Sequence, residues 1–171
     1  VAYIALGANI AGPYGEPAAA VAIAIARIRS LGAITAQSRL YRSTAWPDPR
    51  DPEFINAVIA LETHLAPDVL LTELHIVETD FGRVRGRANA PRSLDLDIVD
   101  YDGRISGEGD TPILPHPRLA QRAFVLLPLA DIAPNWRHPV TGAAIADLVA
   151  ALPDPASADP ASADPVSAMP V

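Results

Sequence analysis

From Leu94 to Ile98 apolar and acidic side chains take turns: Leu94, Asp95, Leu96, Asp97, Ile98. A period of two is the period of a strand, so the three aliphatics turn to one face and the two aspartates to the other. A chain with such a segment must build a sheet whose core lies behind the aliphatics, with something other than core in front of the aspartates. The remaining strand and helix signals show what that sheet is made from.

Val1 to Gly7 (VAYIALG) is a short apolar run of strand type. Glu16 to Leu31 is rich in alanine and isoleucine, with Pro17 suited to a first helical turn. Ala33 to Tyr41 and Phe54 to Glu62 read as strands, separated by WPDPRDP, whose prolines cannot join a ladder. Pro67 opens a second helix in which Leu70, Leu74, Val77 and Phe81 recur at helical spacing until Gly82 ends it. The alternating segment follows, closed by an Asp102-Gly103 turn. This order predicts an α+β fold, a ferredoxin-like β-α-β-β-α-β sandwich with an antiparallel sheet. Extra C-terminal helices are expected at Arg118 to Ala130 and Ala143 to Leu152. The domain is expected to span 1–152. Residues 153–171 repeat ASADP with almost no bulky apolar side chain. Such a segment cannot offset its ordering entropy by burial and is expected to be a disordered tail.

Half of the 171 residues are hydrophobic, enough for a sizeable core. The run Ala18 to Ala26 is too short to cross a bilayer, and no leader pattern opens the chain, so a cytoplasmic protein without a membrane partner is expected. With no cysteine there is no disulfide, thiolate nucleophile or cysteine zinc site. All thirteen basic residues are arginine, which excludes a Walker-type lysine and leaves phosphate to arginine or metal. The net charge of −7 disfavours a nucleic-acid partner, although three of the aspartates lie in the tail. No obligate protein partner is implied.

Asp95 and Asp97 have Cα atoms roughly 6.6 Å apart in a strand, close enough to share a metal ion or to hold two. Water on an exposed strand face would relieve the same repulsion. The preceding GRVRGRANAPR supplies Arg83, Arg85, Arg87 and Arg92. These arginines could simply pair with the carboxylates, or together with a carboxylate-held Mg²⁺ they could receive a polyphosphate. His75 and Glu78 share a helix face, either a solvated one or a pair for the base or sugar of a nucleotide. His116 is bracketed by Pro115 and Pro117. Phe54 and Asn56 share a strand face, with Trp46 in the loop before them and Phe124 further on. Aromatics beside an amide suit either a core or a flat heterocycle.

Together ALGANI, LYRSTAW, FINAVIALET, GRVRGRANAPRSLDLDI and LPHPRLAQRAFVLLPLADIAP resemble the 6-hydroxymethyl-7,8-dihydropterin pyrophosphokinase family over about the first 150 residues. The resemblance implies transfer of a diphosphate from ATP to the pterin hydroxymethyl group, with release of AMP, in folate biosynthesis. It implies two Mg²⁺ ions held by Asp95 and Asp97, and Arg83 and Arg92 acting on the transferring phosphates. His75, Glu78, Arg83, Arg85, Arg87, Arg92, Ile98, His116 and Arg122 would form the ATP site. Ser43, Thr44, Trp46, Phe54, Asn56, Asp95 and Phe124 would form the pterin site. Many relatives have Trp-Gly where this chain has Asn89 and Ala90, and Trp46 is expected to take over that aromatic role. Two other readings predict different behaviour. A D-x-D glycosyltransferase would need a larger nucleotide domain, and a ferredoxin-like binding module would bind no Mg²⁺-dependent nucleotide.

Overall fold

The computed structural model describes residues 1–45, 48–83 and 91–152, together with the backbone of 158–160. Strands β1 (Ala2–Ala8) and β4 (Phe54–Glu62) lie at the centre of an antiparallel sheet. In β4 every residue from Asn56 to Leu61 is buried, because both faces of this strand are covered. On the other side of β1 lies β5 (Asp95–Tyr101), which forms one edge of the sheet. β2 (Ala33–Gln37) and β3 (Tyr41–Ser43) pair with β4 along its other side.

The expected single strand from Ala33 to Tyr41 is thus two. Gln37 opposes Ile59 and Tyr41 opposes Asn56, so Ser38 to Leu40 face only Ala57 and Val58. Ser38 accommodates the extra residue: its backbone N–H donates to Val58 O, and its Oγ accepts the Val58 N–H. A side chain stands in for a ladder partner, as in a bulge.

Helices α1 (Pro17–Ile28) and α2 (Pro67–Asp80) cover one face of the sheet. Each starts with proline in its first turn. α1 buries Ala20, Val21, Ala24, Ile25 and Ile28 against Ile4, Leu6, Ala57, Ile59, Leu96 and Ile98. In α2 the buried line runs Leu70, Leu74, Glu78, so a carboxylate occupies the third position of an apolar series. Phe81 stacks on Tyr14 at 4.3 Å, and Gly82 ends the helix with φ +77°.

The opposite face is covered by α3 (Ala123–Ile132) and α4 (Ile145–Ala150), which pack on Val58, Val99, Tyr3 and Ala5. The helix expected from Arg118 is shorter than its apolar pattern. Leu119–Gln121 forms a single 3-10 turn, and Arg122 is extended (φ −112°, ψ 97°) before α3 begins. Asp100, near the end of β5, is a buried tie between layers. It accepts the Trp136 indole N–H at 2.7 Å and the Gly103 N–H at 3.1 Å. Within the repeat stretch expected to be disordered, the backbone of β6 (Ala158–Pro160) pairs with β3. An exposed strand edge needs only backbone groups from its partner, which a segment of small residues can supply. No helix among the described residues is long and apolar enough to cross a membrane.

Candidate functional site

The register of three neighbouring strands, β5, β1 and β4, assembles the site. Gly7 of β1 lies between Asn56 of β4 and Asp95 of β5, and Ala5 lies beside Asp97. Alternation places Leu96 and Ile98 in the core under α1 and α2, and turns Asp95 and Asp97 to the other face.

Asp95 is clasped by two guanidiniums: Arg83 Nη1 is 2.5 Å from Oδ1, and Arg92 Nη1 is 2.8 Å from Oδ2. Asp97 faces Arg122 at 3.5 Å and His116 Nε2 at 3.9 Å. The expected repulsion within the acidic pair is therefore relieved by arginine. All three guanidiniums are largely buried, whereas the Asp97 side chain keeps 40% of its exposure. Burial lowers the pKa of Arg122, and Asp97 offsets this. The His116 pKa is also lowered, by burial first, with Asp97 opposing and Arg122 and Arg118 adding to the shift. That favours a neutral imidazole; its Nδ1 accepts the Arg118 N–H.

Glu78 lies enclosed beneath this cluster, 1% exposed. Its Oε1 accepts both an Arg83 N–H and, at 2.8 Å, the backbone N–H of Leu96. One carboxylate thereby orients Arg83 and closes the open edge of β5 between the two aspartates. Burial pushes its pKa up to about 7, against the Leu96 hydrogen bond and Arg83, with Asp95 and Asp97 raising it further.

Asn9, which sequence reasoning did not single out, positions Arg92. Its backbone N–H donates to Arg92 O at 3.1 Å, and its side-chain Oδ1 accepts the Arg92 N–H at 2.7 Å. Its Nδ2 donates to Pro52 O at 3.0 Å, so the loop before β4 is fastened to the same point. The available signal was an asparagine placed directly after an apolar strand.

On β4, the buried Asn56 amide donates to Ser43 Oγ at 2.9 Å and makes a longer contact with Tyr41 O at 3.5 Å. Phe54 is half-buried on the same strand face, two residues away. Phe124 is half-buried in the first turn of α3, where the Arg122 guanidinium lies 5.5 Å from its ring centre. Thr44 is exposed at the end of β3, and His75 is half-buried on α2. The Ile98 side chain points into the core, away from the aspartates. Trp46, Arg85 and Arg87, with Asn89 and Ala90, lie outside the described residues.

Among the described residues no group of three or more His, Asp or Glu side chains comes together around a cation position. Two carboxylates on one face nevertheless suit Mg²⁺, which takes one or two carboxylates and completes its shell with water and substrate phosphates. A cavity of about 540 Å³, lined by Val1, Gly32, Glu62 and His64, lies at the far ends of β1 and β4. It contains no arginine and is remote from this chemistry.

Residues 3–134 match the family described as 7,8-dihydro-6-hydroxymethylpterin-pyrophosphokinase (HPPK). A 2-amino-4-hydroxy-6-hydroxymethyldihydropteridine pyrophosphokinase of Pseudomonas aeruginosa is 42% identical over 153 residues, 88% of this chain and 91% of its own length. One of Methylorubrum extorquens is 40% identical over 137 residues, 78% of this chain and 83% of its own. The folic acid synthesis protein fol1 of Pneumocystis carinii is 39% identical over 153 residues, 89% of this chain but 20% of that protein. A solved HPPK-DHPS in complex with substrates superposes with a TM-score of 0.65 at 14% identity, covering 86% of this chain and 42% of that one. That last likeness is one of fold.

Proposed function

The chain belongs to the 7,8-dihydro-6-hydroxymethylpterin-pyrophosphokinase family and is on that ground a diphosphotransferase, and from this premise we propose the reaction it carries out. It transfers a diphosphate from ATP to the hydroxymethyl group of 6-hydroxymethyl-7,8-dihydropterin in the synthesis of folate. The hydroxymethyl oxygen bonds to the β-phosphorus, the bond from that phosphorus to the α-bridging oxygen breaks, and AMP leaves. The hydroxyl proton passes to water, and no side chain is assigned as base. The observation that carries this reading is the adjacency in register of two unlike groups. The arginine-clasped Asp95 lies two strands from the Asn56 amide, with only Gly7 between them.

Arg83 and Arg92 are placed to exchange the Asp95 carboxylate for phosphate oxygens, and Arg122 to exchange Asp97. Charge-assisted guanidinium contacts of this kind neutralise what builds up on the transferring group. Asp95 and Asp97, released from their arginines, would hold Mg²⁺, with two ions expected; bound there, the metal would supply charge neutralisation for the phosphates. Glu78 acts on the nucleotide through Arg83 and the β5 edge. His75, Arg85, Arg87, His116 and the backbone at Ile98 complete the ATP side. Asn56, held by Ser43, reads the pterin edge, Phe54 and Phe124 take its faces, and Thr44 and Trp46 close over it from the loop. The protein's contribution is alignment and electrostatics.

The same reading takes 1–152 as the catalytic unit and its core as ferredoxin-like. The strand order β5-β1-β4 followed by β2 and β3, with α1 and α2 on one face, supports it. The decisive assay is AMP release from ATP. It should require both Mg²⁺ and the hydroxymethylpterin; release without the pterin, or none with it, would refute the reading.

A further inference from the structure

Among the described residues of the site Gly7 offers no side chain, and its backbone does not require glycine. It is not among the glycines with positive φ, it lies inside a regular strand, and it is buried. Glycine in a strand interior gives up packing and backbone rigidity, so on propensity alone alanine would serve β1 better. Where such a glycine persists, close approach of another group is a physical reason for it.

That group is identifiable. A Cβ on Gly7 would lie 3.2 Å from Asn56 Oδ1 and 3.7 Å from Phe54 Cδ1. The second contact is ordinary, but the first is too tight to leave the amide unmoved. Asn56 has little freedom to retreat, since its Nδ2 is held by Ser43 Oγ at 2.9 Å and the residue is 4% exposed. Further along β1 on the same face, Ala5 and Tyr3 do carry side chains and pack against the cluster around α3. Gly7, the next position on that face, carries none and is nevertheless buried. On either side of it stand two acceptors, the Asn56 carbonyl oxygen and the Asp95 carboxylate.

We propose that Gly7 is a specificity-determining position. Its missing side chain keeps the Asn56 amide in the orientation, fixed by Ser43, from which it reads the edge of a heterocycle carrying N–H donors. The inference rests on the proposed reaction, with the pterin as that heterocycle.

The test is Gly7→Ala in the full chain, with steady-state kinetics for both substrates and a thermal melt. The Michaelis constant for the hydroxymethylpterin should rise about tenfold or more, the size expected when a buried polar partner is misplaced. Calorimetric affinity for a non-hydrolysable ATP analogue with Mg²⁺ should stay within about twofold. The double variant Gly7→Ala/Asn56→Ala removes the crowded atom, so it should fold even if the single variant does not. Its pterin constant should match that of Asn56→Ala alone. An unchanged pterin constant in Gly7→Ala, an equal loss for both substrates, or full additivity in the double variant would overturn the inference. A wild-type chain that turns over no pterin would instead overturn the functional reading and carry the inference with it.

Discussion

The two faces of β5, β1 and β4 are made from alternate residues of the same strands and do different work. Beneath α1 and α2, Ile4, Leu6, Ile59, Leu96 and Ile98 are each at most 3% exposed. Across the backbone, Gly7, Phe54, Asn56, Asp95 and Asp97 occupy the intervening positions. The apolar face sets the register, and the register sets the chemistry: slipping β5 by one residue would send both aspartates into the core. The second face has an apolar cluster of its own under α3, around Val58 and Val99, and the site lies beyond it, at the Gly7 end of β1. Polar groups can therefore stand there partly exposed, with arginines parked on carboxylates.

The comparison breaks most visibly on the apolar side. Leu96→Ala should cost about 2–5 kcal/mol in folding free energy, measured by urea denaturation. A cost below about 1 kcal/mol would mean that this face does not anchor β5. On the other side, Arg92→Ala should lower kcat by about a hundredfold or more, as loss of a charge-stabilising donor does, while the urea midpoint moves little. If its melting temperature fell as far as that of Leu96→Ala, Arg92 would be a structural rather than a catalytic element.

Glu78 sharpens the contrast, being a polar group on the apolar side. Its folded pKa of about 7 lies above its ordinary value of 4.5. Between these values the folded chain binds more protons than the unfolded one, so stability falls as pH rises through this window and levels off above it. Glu78→Gln should remove that part of the slope. Chemical denaturation at pH 5 and pH 8 would check it, and identical slopes in the two proteins would exclude the effect. This is the smallest of the three shifts and the only one that depends on pH.

Much of the site could be read locally. Asp95 and Asp97 share a face because strands alternate, and Pro67, the aliphatic spacing and Gly82 delimit α2 because helix geometry repeats every 3.6 residues. The arginines stood out by crowding beside an acidic pair. The features that were not legible depend on residues far apart in the chain. Arg122 reaches Asp97 only because the backbone is extended there, between a 3-10 turn and α3. Ala33 to Tyr41 divides because Ser38 meets Val58. Asp100 accepts the indole N–H of Trp136, which stands 36 residues later in the chain, a pairing no local pattern announces.

The opening ALGANI shows where the division falls. On its own it carried almost no information beyond a strand followed by a turn, since glycine and asparagine at a strand end are common. In the folded chain Asn9 holds both backbone groups of Arg92, and Gly7 stands bare between Asn56 and Asp95. By itself the sequence determined β1, β4 and β5, the two sheet-covering helices and the common face of Asp95 and Asp97, because periodicity is a property of neighbours along the chain. Which residues act as supports, and which absence of a side chain matters, was decided only when sheet pairing and burial brought distant groups within a few ångströms, where hydrogen bonding and steric exclusion begin.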